Sequence, residues 1–164
     1  MDAAAIHARL QGRFGAVIGD CQATAKDPWI GVAPAAVVDV CRFLRDDPEL
    51  RFDSLSNQTG VDYKAKNLIQ VVYHLYSYPQ RHAIVLKADV PRDAPSLPSV
   101  VDVWPAANWL EREIYDLVGV TFEGHPDLRR LLMPEDWPGH PLRKDFVEPE
   151  SYHGISTRRE SLLR

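Results

Sequence analysis

Hydrophobic positions along this chain recur first at helical spacing, then in alternation, then at helical spacing again, and finally without a period. Ile6, Leu10 and Phe14 stand at i, i+4 and i+8, which predicts an amphipathic helix over 2–14. Two short β-leaning runs follow, AVIGDCQ and PWIGVA. Pro34 then opens PAAVVDVCRFLRDD, where Val37, Val38, Cys41 and Leu44 share one face. Proline suits a first helical turn, where its missing N–H would have no partner, and Pro48 lies beyond the far end, so a second helix is predicted here.

From residue 49 the period becomes two. LRFDSLSNQTGVDY predicts a strand with a turn near Gly60. In NLIQVVYHLYSYP, Ile69, Val71, Tyr73 and Leu75 fall on one face and Gln70 and His74 on the other. HAIVLKADV follows after the turn-like SYPQR, so the two runs predict an antiparallel hairpin. Pro91, Pro95, Pro98 and Pro105 make the next stretch an irregular crossover. A third helix is predicted over 105–118, started by Pro105 and stopped by Gly119. Its buried stripe would be Leu110, Ile114, Leu117 and Val118, and its other face Glu111, Arg112, Glu113 and Asp116. The order α-β-β-α-β-β-β-α predicts an α+β two-layer sandwich, a mixed sheet with helices on one face. Residues 1–119 form the expected domain, and 120–164 an extended, proline-rich, charged docking segment.

Composition narrows the function. The chain of 164 residues is 45% hydrophobic and 26% charged, within the globular range. A net charge of −4 argues against a nucleic-acid domain. Tyr73, Tyr76 and Tyr78 have no interleaved basic residues and suit core and rim better than a base-stacking platform. Cys21 and Cys41 form no C-x-x-C and stand near no histidine cluster, so they read as two reduced thiols packed as small apolar groups. No apolar run approaches the ~20 residues that span a bilayer. MDAAAIHARLQGRFG has an early acid and a helical period, unlike a secretory signal.

The unusual stretch is WLEREIYDLVGVTFEGHPDLRRLLMPEDWPGHPLRKDF, with Gly-His-Pro triplets around His125 and His140. Three readings compete. His125, Asp127, Glu135, Asp136, His140 and Asp145 could supply metal ligands, but no two histidines have the short spacing that puts both on one helix face. The same groups could act as general acids and bases, giving a free-standing hydrolase. No nucleophile elbow, G-x-G-x-x-G or G-K-[ST] accompanies them. The third reading is a docking strip. Pro126, Pro134, Pro138 and Pro141 lower the entropy lost on ordering. Arg129, Arg130, Arg143 and Lys144 nearly balance the acids, and Trp137, Leu131, Leu132 and Met133 supply apolar anchors of the kind that carry interface energy. The two histidines would be posts, each able to bridge two groups through its ring nitrogens.

This stretch resembles, almost residue for residue, the signature of the thirty-kilodalton (C) subunit family of proton-pumping NADH:quinone oxidoreductase, respiratory complex I. The match is dense over 104–146 and looser over 60–103. Val118 departs from it, since the family often has a bulkier residue before that glycine, and the short tail after Phe146 is unlike the version fused to the quinone-site subunit. The resemblance implies a non-catalytic subunit of the hydrophilic arm, beside the quinone-site subunit and neighbouring iron–sulfur subunits. Flavin and iron–sulfur clusters would sit on those partners and none on this chain. It implies peripheral attachment at the cytoplasmic face of the bacterial cell membrane. The residues expected to dock are Glu111, Arg112, Glu113, Asp116, His125, Asp127, Arg129, Arg130, Trp137, His140, Arg143, Lys144 and Asp145. The equivalent subunit of a membrane-bound energy-converting hydrogenase, or of a related dehydrogenase, is the alternative within the same fold family.

Overall fold

Asp2 offers its carboxylate to the N–H of Ala5 at 2.8 Å, answering one of the donors a first helical turn leaves unpaired, and α1 runs from there as Ala3–Phe14. This is a computed structural model, and it describes residues 1–158. Ile6 and Leu10 are buried as their spacing predicts. The second helix, α2 (Val37–Asp46), begins after a 3-10 turn over Pro34–Ala36, so Pro34 opens that turn and not the α-helix itself. Its buried face is Val37, Val40, Cys41 and Leu44, with Val38 only partly buried.

Strands β1 (Ile18–Gln22), β2 (Trp29–Val32), β3 (Ser54–Tyr63), β4 (Leu68–Ser77) and β5 (His82–Pro91) form one sheet in the order β1-β2-β5-β4-β3. β2 and β5 are parallel and the other neighbours antiparallel, so the sheet is mixed. Ile69, Val71, Tyr73 and Leu75 share a face, as alternation predicts. They join Ile84, Leu86, Ala88 and Val90 of β5 and the apolar stripes of the helices in one core. The result is a two-layer α+β sandwich. The other sheet face is polar in part, with the Gln70 amide donating to Asp89 at 2.7 Å.

Three local features differ from the sequence expectation. β3 runs straight through Gly60, and the turn comes later, at Lys64–Lys66, closed by Asn67 at φ 52°. Glycine is needed at 60 for close packing: a Cβ there would stand 2.9 Å from Cγ2 of Ile114. Next, the proline-rich crossover contains a strand, β6 (Ser96–Pro98), which pairs in parallel with β7 (Thr121–Glu123). Between them lies α3 (Ala107–Val118), whose first turn starts two residues after Pro105. Val120 and Phe122, beyond the left-handed Gly119 at φ 80°, are buried in the same core. Finally, the polar side of α3 is not a solvated face. Glu111, Arg112 and Asp116 are buried, Glu113 is exposed, and Leu110 and Leu117 are only half-buried. The following segment folds back over Arg112 and Asp116, while Glu111 turns to Ser99 and Val100 before the helix.

Candidate functional site

That segment runs from Gly124 to Glu150 without helix or strand, and a short hairpin, β8 (Ser151–Tyr152) with β9 (Ile155–Ser156), follows it. Such a strip must find partners for its backbone outside itself, and side chains of the domain provide them.

The central fastening is Asp116. Its Oδ2 accepts the N–H groups of Leu131 at 3.0 Å, Leu132 at 2.7 Å and Met133 at 2.8 Å. Its Oδ1 accepts from the Arg130 guanidinium at 3.1 Å, and Arg130 also donates to the Gly139 carbonyl. Burial alone would raise the pKa of this carboxyl. The N–H groups of Met133, Leu132 and Leu131, with Arg130, outweigh it and hold the carboxyl below its ordinary range.

Arg112 works from the same helix. It donates to the carbonyls of Arg129 at 3.2 Å and Arg130 at 3.4 Å, and its guanidinium lies over the Trp109 ring at 5.0 Å. Arg143 reaches in the opposite direction, from strip to domain. It donates to the carbonyls of Val118 at 2.7 Å and Gly119 at 3.4 Å, acceptors that the end of α3 leaves open, and to the Arg92 carbonyl after β5 at 3.3 Å.

Both histidines act as posts within the chain. His125 accepts the Asp127 N–H on Nδ1 at 3.0 Å, which leaves Nε2 to donate to the Asn108 carbonyl at 3.1 Å. His140 donates from Nδ1 to the Asp116 carbonyl at 2.9 Å and packs its ring against Gly119. A β-carbon at Gly119 would come within 2.5 Å of that ring, so this glycine serves both the helix stop and the contact.

A second fastening went unnoticed in the sequence. Asp62 on β3 accepts two bonds from Arg92, at 2.7 and 2.9 Å, and the N–H of Lys144 at 2.8 Å, while Arg92 also pairs with Asp145. The Arg92 guanidinium, against the opposing effect of burial, holds the Asp62 carboxyl below its ordinary range. Alternation from Leu55 would have pointed Val61, not Asp62, inward. A bulge between Leu55 and Asn57 inverts the alternation of β3, so Gln58, Gly60 and Asp62 stand opposite the core-facing Tyr73, Val71 and Ile69.

The expected docking residues therefore divide. Glu111, Arg112, Asp116, His125, Arg130, His140 and Arg143 make their bonds inside this chain. Glu113, Asp127, Arg129, Lys144 and Asp145 are exposed, with Arg129 and Asp127 paired to each other at 3.0 Å. Trp137 is half-buried, its ring 4.9 Å from that of Tyr152. Leu132, Leu142 and Val147 expose more than half of their surface. The strip thus presents apolar side chains and charges outward from a backbone held inward. Among the described residues, no three His, Cys, Asp or Glu side chains come together as a metal site would need.

Residues 30–152 match the family model of the respiratory-chain NADH dehydrogenase, 30 Kd subunit. The chain is 50% identical over 147 residues to the C subunit of NADH-quinone oxidoreductase from Roseiflexus castenholzii, covering 88% of this chain and 84% of that one. It is 47% identical over 140 residues to the corresponding NADH-quinone oxidoreductase chain of Geobacter sulfurreducens, covering 84% and 85%. Among solved structures it is similar to a chain of the membrane-bound sulfane sulfur reductase, an archaeal respiratory membrane complex. The TM-score is 0.73 at 25% identity, over 88% of this chain and 85% of that one. It is also similar to a trypsin-resistant fragment of Nqo5, with a TM-score of 0.57 at 28% identity, over 76% of this chain and 96% of the fragment.

Proposed function

Since the chain belongs to the 30 Kd subunit family of respiratory-chain NADH dehydrogenase, we propose that it is the 30 Kd component of an NADH-quinone oxidoreductase and serves that complex by docking rather than by chemistry of its own. The observation that carries the docking role is the strip from Gly124 to Glu150. Its backbone is fastened by Asp116, Arg112 and Asp62, and its Arg143 reaches back to the Val118 carbonyl, while Leu132, Leu142 and Val147 remain exposed. Holding an irregular segment in one shape before a partner arrives lowers the ordering cost of association. The chain has neither a glycine-rich phosphate loop nor a cluster of metal-ligating side chains among its described residues. On this reading flavin and iron–sulfur clusters belong to partner subunits, and the quinone-site subunit and its iron–sulfur neighbours face the strip. No helix among the described residues is long and apolar enough to cross a membrane, in keeping with peripheral attachment at the cytoplasmic face.

The fold alone does not separate this reading from a respiratory complex with another electron acceptor, because the sulfane sulfur reductase chain shares it. Sequence identity of 50% to an NADH-quinone oxidoreductase subunit, against 25% to the reductase chain, favours the former. The test is to tag the chain in its native host, solubilise the membranes and identify what co-purifies. Subunits bearing flavin, iron–sulfur clusters and the quinone site are expected. Deleting the chain should abolish NADH-driven quinone reduction in the membranes and spare reduction of artificial acceptors by NADH. Recovery of the chain alone, with NADH-quinone activity intact after deletion, would remove the proposal.

A further inference from the structure

Behind α3 lies a polar cluster that takes no part in fastening the strip. The Glu111 side chain is fully buried and accepts the Ser99 hydroxyl at 2.6 Å and the Val100 N–H at 2.8 Å. Among the described residues no Lys or Arg pairs with it, since its neighbour Arg112 is turned to the Arg129 and Arg130 carbonyls. The groups facing it come from every element packed around it: Gln58 from β3, Tyr73 from β4, Cys41 from α2 and His125 from the strip. Burial keeps the Cys41 thiol and the Tyr73 phenol neutral, so neither contributes a charge.

Two of these neighbours are themselves unanswered. Gln58 is 3% exposed, and neither its amide nitrogen nor its carbonyl oxygen has a hydrogen-bond partner among the described residues; the same holds for the Tyr73 hydroxyl. An ionised Glu111 carboxylate would accept from Ser99, from Val100 and from the Gln58 amide. It would also be a buried charge without a counter-ion, the arrangement proteins avoid by keeping the group neutral. A neutral carboxyl removes that charge.

We propose that Glu111, enclosed behind α3 with no Lys or Arg paired to it among the described residues, is a proton-binding site of the folded chain, occupied at pH values where a free glutamate is ionised. Burial, offset in part by the Ser99 and Val100 hydrogen bonds and by His125 and Gln58, raises this carboxyl above the usual glutamate value of 4.5. Above that value the unfolded chain releases the proton and the folded chain retains it. The contribution of Glu111 to stability is therefore complete at lower pH and is lost as pH rises towards the folded-state pKa. Over that window the folding equilibrium falls by up to about tenfold per pH unit.

The test uses the full-length chain. Thermal unfolding of the wild type should show a midpoint that declines from about pH 5 upward, over the span set by the raised pKa. Glu111→Gln supplies a neutral N–H donor in place of the O–H, and it should fold and lack that decline. Glu111→Gln with the wild-type pH dependence overturns the proposal. So does a decline that vanishes in His125→Gln, because the titrating group would then be the histidine. Whether or not these variants fold, the wild-type infrared spectrum decides independently. Just above the usual glutamate value, and with the folded-state pKa as the upper limit, it should contain a protonated-carboxyl band that shifts on isotopic labelling of glutamate. Its absence there overturns the proposal.

Discussion

Replacing Asp116 by alanine would remove the acceptor at which the strip converges. Three backbone N–H groups and the Arg130 guanidinium lose a fully buried partner. Hydrogen bonds to a charged group contribute about 1.5–3 kcal/mol each, so the three backbone bonds alone sum to more than a surface segment can lose. Once the strip lifts from α3 its N–H groups hydrate, and the loss is capped by the free energy of docking the strip to the domain. Removing one partner of a buried pair typically costs about 3–5 kcal/mol, and that is the magnitude expected here. The assay is urea unfolding of the full-length chain beside limited proteolysis. Asp116→Ala should unfold at lower urea and be cut first within 124–150. Arg130→Glu should behave like it, because its partner is buried. Arg129→Glu is the control: Arg129 is 68% exposed and its partner Asp127 48%, so the change should be no more than about 1 kcal/mol. An Asp116→Ala chain within about 1 kcal/mol of wild type, and equally protected from protease, would refute the account of how the strip is held.

Gly119→Ala should lower stability by at least about 1–2 kcal/mol, the cost of a β-carbon in the left-handed region. It should also displace the His140 ring, read as a lower unfolding midpoint and a changed imidazole NMR signal. Acid should unfold the chain through Asp62 and Asp116. Their folded-state pKa values lie below the ordinary carboxylate range, so their stabilisation is complete above that range and lost as pH falls through the depressed values. Circular dichroism during acid titration should show that loss, with a shallower acid limb in Asp62→Asn; an unchanged limb would contradict it.

The sequence disclosed most of the fold because burial there obeys a simple period. Ile6 and Leu10 on α1 and Ile69, Val71, Tyr73 and Leu75 on β4 occupy the core positions that their spacing predicts. The failures on α3 and β3 share one cause. A reading that counts only apolar residues as inward misplaces any element whose inner face is polar. On α3 it put Glu111, Arg112 and Asp116 outside, and on β3 it missed Asp62 and turned the chain at Gly60. In each case the partner is distant in sequence: Asp116 meets residues 131–133, and Asp62 meets Arg92 and Lys144. Local periodicity carries no information about such pairs. The mixed charges of the strip were legible, but the direction each side chain takes was not.

That direction changes what the signature means. A proline-stiffened segment with as many internal ligands as this one is not a loose arm awaiting order. Arg112, Arg130 and Arg143 give their donors to carbonyls and a carboxylate of their own chain, so these cations are not the ones left to attract a partner. On the docking role proposed above, contact with a neighbouring subunit would fall to the side chains that this framework leaves outward, among them Glu113, Arg129, Leu132, Leu142 and Val147. On that role the inward set fixes the shape of the strip and the outward set would meet the partner. Changes to the first should therefore weaken the isolated chain and assembly together, and changes to the second should weaken assembly alone.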